Sequence, residues 1–237
     1  MGYQVLLLDL DDTLLDFGAN ERESLGRLFQ QHGYAFDALF PVYQRVNQRL
    51  WSEHEDGKIA LRDVLDTRFA RTLAELGQTV DGVEWEAQYR EYLSGGLQLM
   101  PGAVDVCRRL AATHRLFIVT NGVAETQMNR LRMTGLLGLF EDVFISQAIG
   151  YQKPSRQFFD HVMGHIPGFD RRGALVIGDS LNTDIKGGIL AGIDTCWLNS
   201  QGAQCPRELR GTYEITVLKD LYSILLGAEE ASTIECM

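Results

Sequence analysis

The sequence predicts an α/β fold, a doubly wound, Rossmann-like parallel sheet with an inserted helical domain. Three observations carry this. Short apolar runs alternate with helix-period segments along most of the chain, the pattern of βαβ units. That rhythm breaks once, over residues 17–100, where only helical patterns occur. Polar clusters then recur where the apolar runs end, at the carboxyl edge where open parallel sheets bind ligands.

In chain order, "VLLLDL" (5–10) is the first strand. Four helices follow, near 20–32, 37–54, 60–76 and 83–94, and Gly33, Gly57, Gly77 and Gly95-Gly96 mark their ends. The insertion leaves by "LDFGAN" and returns by "LSGGLQLMPG", and glycine in both joins permits hinge motion. Residues 1–16 and 100–237 are therefore expected to form the sheet domain, and 17–99 a helical domain. The later strands are "RLFIVT" (115–120), "DVFIS" (142–146), "GALVIGD" (173–179) and "DTCWLN" (194–199). Helices near 102–112, 124–134, 155–164 and 182–190 separate them, through right-handed crossovers. Pro154 suits the first position of the third of these helices. The tail after Leu226 is polar and expected to be loose.

Composition narrows the function classes. Against 32 Asp and Glu stand 22 Lys and Arg, a net charge of −10 with no basic run, which disfavours nucleic acid polymers and anionic membranes as partners. No apolar run approaches the roughly 20 residues that span a bilayer. The start, "MGYQVLLLD", lacks the basic region and cleavage site of a signal peptide. Cys107, Cys196, Cys205 and Cys236 have neither zinc-type nor redox-type spacing and read as reduced core thiols of a cytoplasmic protein. The sequence leaves the oligomeric state open between monomer and homodimer.

The polar clusters carry the chemistry. Asp9, Asp11 and Asp12 follow the first strand, "TNG" (120–122) the second, and "GDS" (178–180) the fourth, while Lys153 precedes a helix. Taken singly, each reads as ordinary turn or capping chemistry. Together, at one sheet edge, they fit phosphoryl transfer. Asp9 and Asp179 offer a hard oxygen site suited to Mg²⁺. Asp9 can attack phosphorus and form an aspartyl-phosphate. Asp11 can protonate the leaving oxygen and then deprotonate the hydrolytic water. Thr120 and the amides after it can hold phosphoryl oxygens, and Lys153 supplies positive charge.

The motifs Asp9-Leu10-Asp11-Asp12-Thr13, Thr120, Lys153 and "GDSLNTD" (178–184) resemble those of the haloacid dehalogenase superfamily, in particular its phosphatases with a helical cap inserted after the first motif. The resemblance covers about residues 3–226. It implies that Asp9 is nucleophile and metal ligand, that Asp11 is the acid/base with its backbone carbonyl on the metal, and that Asp179 is a metal ligand. Asp184 is then one step behind the ligands, and Thr120, Asn121 and Lys153 hold phosphate. "IGYQKP" departs from the more usual Val-x-x-x-Lys-Pro form, which alters the expected loop before Lys153.

One branch fits best. "YQRVNQRLW" (43–51), "DGKIALRDV" (56–64), "TNG" and "DTCWLN" look like bacterial pyrimidine 5′-nucleotidases, which hydrolyse nucleoside monophosphates. Tyr43, Asn47 and Trp51 recur at every fourth position, on one helix face. Trp51 can stack on a base and Asn47 can read its edge, or the aromatics pack the helical domain. Alternatives are a phosphatase for another small monoester, such as phosphoglycolate or a sugar phosphate, a phosphomutase, and a catalytically silent binding module. Dehalogenation is disfavoured, because Asp11 and Asp179 suit phosphate chemistry.

Overall fold

A computed structural model describes residues 2–226. The tail expected to be loose lies outside them. The chain divides into two compact units. Among the described residues, one comprises 2–16, 99–124 and 131–226, and the other Phe17–Gln98 with Glu125–Arg130.

The elements run in the order β1 (Val5–Leu8), α1 (Phe17–Gln31), α2 (Phe36–Glu55), α3 (Leu61–Ala74), α4 (Gly82–Ser94), α5 (Ala103–Ala111), β2 (Arg115–Thr120), α6 (Ala124–Met133), β3 (Asp142–Ile145), α7 (Ser146–Ile149), α8 (Arg156–His165), β4 (Ala174–Gly178), α9 (Lys186–Ala191), β5 (Asp194–Leu198), β6 (Tyr213–Ile215) and α10 (Leu221–Leu225). A single π-helical turn, Leu181–Ile185, leads into α9.

The six strands form one parallel sheet, ordered β3-β2-β1-β4-β5-β6. Leu8 is level with Ile118 on one side and with Ile177 on the other. The chain winds outward from β1 in one direction and from β4 in the other. The strand order therefore reverses between β1 and β4, and the crevice above that point is where such sheets bind ligands. β1 is buried on both faces, which explains its unbroken aliphatic run. Leu6 and Leu8 pack into the cluster holding Val106 and Leu110 of α5 and Leu221 of α10. Val5 and Leu7 pack into the opposite cluster, with Phe158, Phe159 and Val162 of α8.

The helical unit has its own core. Leu25, Leu28 and Phe29 of α1 meet Tyr43 of α2, Phe69 of α3, and Trp85 and Tyr89 of α4. Val46, Leu50 and Val64 make a smaller cluster, with Trp51 and Ile59 against it. Gly33, Gly57 and Gly77 follow α1, α2 and α3 with φ of 76°, 72° and 72°, the left-handed region in which glycine ends helices without a Cβ clash. Asp81 caps α4 by accepting from the Val83 and Glu84 amides.

Three local expectations are corrected. Pro154 does not open α8: Ser155 is the cap, its Oγ accepting from the Phe158 amide, and Arg156 is the first helical residue. The helix expected over 182–190 is a π turn followed by a shorter α9. Cys107 and Cys196 are buried free thiols, but Cys205 is only partly buried. Cys236 lies outside the described residues. Among those residues, no helix is long and apolar enough to cross a membrane.

Candidate active site

Asp9 is the first residue past β1, and its amide continues the ladder by donating to the Ile177 carbonyl at 2.8 Å. The strand therefore aims a carboxylate into the crevice with little freedom. The residue is 6% exposed. Three residues on, Asp12 has φ of 58°, a left-handed conformation that aspartate tolerates better than most residues. Its amide donates to the Leu15 carbonyl at 2.7 Å and closes the turn carrying Asp11 and Thr13.

The neighbouring strand supplies the second acid. Asp179 follows β4, and its backbone is held from both sides. Its amide donates to Thr13 Oγ1 at 3.1 Å, and Trp197 Nε1 of β5 donates to its carbonyl at 2.7 Å. Thr13 thus ties the loop after β1 to the loop after β4. Gly178, just before Asp179, lies against Asp184: a Cβ there would sit 2.2 Å from Asp184 Oδ2. The π turn brings Asp184 back over the strand end, where Oδ2 accepts from the Ser180 amide at 3.1 Å.

Lys153 fills the space between the acids. Its ammonium is buried, and its three hydrogens have three acceptors: Asp9 Oδ1 at 2.5 Å, Asp184 Oδ1 at 2.6 Å and the Val119 carbonyl at 2.8 Å. Its backbone is fixed by Asn121, which donates from Nδ2 to the Lys153 carbonyl at 2.9 Å and accepts the Lys153 amide on Oδ1 at 2.8 Å. Asn121, expected on phosphate, braces the lysine loop here. Thr120, the last residue of β2, is buried beside it in sequence.

The site is short of positive charge. One carboxylate oxygen each from Asp9, Asp179 and Asp184 lies within 4.8 Å of the others, and Lys153 is the cation bonded among them. Burial pushes Asp9 well above the usual carboxylate range, against the pull of Lys153, and Asp184 and Asp179 add to the rise. Asp179 is raised to about 7, by burial first and then by Asp184 and Asp12. Burial would lower Lys153, but Asp184 and Asp9 outweigh it and hold the ammonium above its ordinary value. Buried like charges of this kind are relieved by a hard cation with oxygen ligands. The donor set therefore fits Mg²⁺. The Asp11 carboxylate is not one of the three in this cluster. Asp184, expected behind the ligands, contributes the third carboxylate of the cluster, with Oδ1 accepting from Lys153 and Oδ2 from the Ser180 amide.

The residues expected to read the substrate lie on α2. Tyr43 is fully buried, stacked on Phe69, and belongs to the core of the helical unit. Asn47 is half-buried and accepts from Arg68 Nη1 at 3.3 Å. Trp51 is half-buried beside the Val46, Leu50 and Val64 cluster. Arg68 gave no signal in the sequence. It sits in "DTRFARTL", where an arginine on an amphipathic helix reads as solvated.

Comparisons with known proteins agree with this geometry. Residues 3–192 match the model of the haloacid dehalogenase-like hydrolases. The pyrimidine 5′-nucleotidase PynA of Streptococcus pneumoniae is 38% identical over 95% of this chain and 96% of its own. The pyrimidine 5′-nucleotidase YjjG of Escherichia coli is 30% identical over 95% of this chain and 99% of its own. The crystal structure of YfnB from Bacillus subtilis, bound to magnesium, superposes with a TM-score of 0.91 at 44% identity, over 96% of this chain and all of that one. With the motif residues gathered at one sheet edge and relatives of this similarity along almost its whole length, the chain belongs to the haloacid dehalogenase-like hydrolase family and is an enzyme, one of that family's phosphatases.

Proposed function

We propose that the protein is a Mg²⁺-dependent 5′-nucleotidase that hydrolyses pyrimidine nucleoside monophosphates through an aspartyl-phosphate. The observation that carries the chemistry is the contact of Lys153 with both Asp9 and Asp184 at the point where the strand order reverses. Support for the substrate is the near full-length similarity to PynA and YjjG.

Asp9 is the nucleophile. Lys153 holds one of its oxygens, which fixes the carboxylate and leaves Oδ2 for in-line attack on phosphorus. Lys153 also places its charge where the transferring phosphoryl group is most negative. Asp11, two residues on, gives its proton to the leaving ribose oxygen, which departs as the nucleoside. It then takes a proton from the water that attacks the aspartyl-phosphate, and Asp9 and inorganic phosphate are released. Thr120 and the amides following it hold phosphoryl oxygens. Asp9, Asp179 and the Asp11 backbone carbonyl would hold Mg²⁺, and bound there it would supply the charge that lets an anionic nucleophile approach an anionic ester.

The helical unit supplies base recognition, through Asn47 and Trp51, as a cap domain spanning residues 17–99. The buried free thiols of Cys107 and Cys196 suit the reducing cytoplasm, where the free nucleotide pool lies. The deciding experiment is phosphate release from a panel of nucleoside monophosphates, sugar phosphates and phosphoglycolate, with and without EDTA after metal stripping. Highest kcat/KM on uridine and thymidine monophosphates, lost in EDTA, is expected. A higher value on phosphoglycolate or a sugar phosphate overturns the substrate assignment, and full turnover in EDTA overturns the metal.

A further inference from the structure

The helical unit buries a charge that the chemistry above does not use. Arg68 of α3 is 2% exposed. Glu86 of α4 takes its Nε and Nη2 in a two-pronged pair, each at 2.7 Å. Glu86 also accepts from Arg90 Nε at 2.6 Å. The guanidinium lies 4.8 Å from the centre of the Tyr89 ring and 5.5 Å from that of Phe69. Its remaining nitrogen, Nη1, donates to Tyr43 Oη at 3.1 Å and to Asn47 Oδ1 at 3.3 Å.

Such a pair is poor value as a stabilising device. Taking two ions from water costs several kcal/mol each, and a well-packed apolar pair of similar volume is often as stable. What the arrangement does provide is direction. A guanidinium can only donate hydrogen bonds, so it fixes which end of the Asn47 amide faces it. Oδ1 is turned inward to Arg68, and the NH₂ group is turned away. Among the described residues no protein acceptor takes the Asn47 Nδ2 hydrogens, and Asn47 is half-exposed. An unrestrained asparagine could rotate to offer either a donor or an acceptor. Glu86 fixes Arg68, and Arg68 removes that choice.

We infer that Arg68 is a positioning residue for substrate selection: held by Glu86, it keeps the Asn47 NH₂ outward, so that the enzyme favours nucleotides whose base offers a ring carbonyl. Uracil, thymine and cytosine all carry one, as guanine does, whereas adenine offers only ring nitrogens, acceptors that do not project from the ring to meet a donor held in one place. The inference rests on the nucleotidase reading and names the device that selects the base.

The test compares kcat/KM on deoxyuridine monophosphate, deoxyadenosine monophosphate and p-nitrophenyl phosphate, with melting curves for each variant. Asn47→Asp keeps the shape and the bond to Arg68 but replaces the outward donor by an acceptor. Its deoxyuridine-to-p-nitrophenyl ratio should fall about tenfold or more, through KM rather than kcat. Arg68→Lys keeps a cation for Glu86 but loses the fork, so the amide can turn. Its deoxyuridine-to-deoxyadenosine ratio should fall toward one. An Arg68 that served packing alone would lower the melting temperature and scale all three substrates together, and unchanged ratios in both variants overturn the inference. If Arg68→Lys does not fold, the ratio in Asn47→Asp decides. The two readings separate in the wild type. No preference for deoxyuridine over p-nitrophenyl phosphate there removes the nucleotidase reading itself. A clear preference that survives both variants removes the roles of Arg68 and Asn47 and leaves the nucleotidase reading standing.

Discussion

Asn121 and Lys153 hold each other through a reciprocal pair of hydrogen bonds, at 2.9 Å from the Asn121 amide to the Lys153 carbonyl and at 2.8 Å from the Lys153 amide back to Asn121 Oδ1. The pair joins the end of β2 to the loop before α8. It decides where the Lys153 side chain starts, and so whether its ammonium reaches Asp9.

Asn121→Ala should remove both bonds and lower stability by about 1–3 kcal/mol, at roughly 0.5–1.5 kcal/mol each. Turnover should fall further than stability alone requires, because a displacement of about 1 Å at a charged reacting centre costs up to about a hundredfold. Urea denaturation and steady-state kinetics check this together. Asn121→Asp keeps the acceptor for the Lys153 amide, so it should recover part of both losses. A variant with wild-type stability and rate would show that the loop is held by other contacts.

Asp9→Asn and Asp11→Asn should fail for different reasons. The first removes the nucleophile, so acid-quenched enzyme should carry no phosphoryl adduct by mass spectrometry. The second keeps the nucleophile and loses proton transfer, a loss of about 10²–10⁴-fold. It should still form the adduct with an activated ester, whose leaving group needs no proton, and the adduct should accumulate because the hydrolytic water lacks its base. Wild-type rates in Asp9→Asn would replace the covalent scheme by direct attack of water.

Gly178→Ala tests the contact between strand and acid. The added Cβ would meet Asp184 Oδ2 at 2.2 Å, well inside contact distance, and Asp184 is fully enclosed. The carboxylate must move, which breaks its bonds to Lys153 and to the Ser180 amide. A destabilisation of about 1–3 kcal/mol from overpacking is expected, with weaker Mg²⁺ binding than in the wild type. Isothermal titration of metal into the stripped protein measures the second effect. Unchanged affinity would separate Asp184 from the metal site.

The parts legible in the sequence are those set by local pattern. The aliphatic run of β1 and the alternation of later strands with helices need only periodicity, and the four helices of the insertion announce themselves by their glycine stops. β6 is not legible in the sequence because "YEI" is three residues long with a charge at its centre, and it reads as a strand only once Cys196 to Leu198 lie beside it. The start of α8 differs from the sequence expectation because proline suits a first turn in general, whereas here Ser155 provides the capping oxygen. At the site, Asp9, Asp179 and Lys153 stand out as charges at strand ends. That Lys153 reaches Asp184, 31 positions away, is a property of the folded sheet edge. Arg68 was invisible for the same reason: its burial depends on Glu86, Tyr43 and Tyr89, contributed by two other helices.

Trp51→Ala separates packing from recognition on α2. One part of the indole lies against Val46, Leu50 and Val64, and the ring meets His54 edge-on with centroids 5.8 Å apart. Truncation should lower stability by about 2 kcal/mol, less than the 3–5 kcal/mol of a fully buried tryptophan because this one is only half-buried. That loss reaches every substrate alike. The exposed part of the ring is available to stack on a base, and a lost stack is worth roughly 1–3 kcal/mol. The ratio of kcat/KM on thymidine monophosphate to that on p-nitrophenyl phosphate should therefore fall about tenfold or more at a temperature where both proteins are folded. The melting curve reports the packing and the ratio reports the stacking, so each can fail without the other. A lowered melting temperature with an unchanged ratio assigns Trp51 to the core of the helical unit and leaves the base to Asn47.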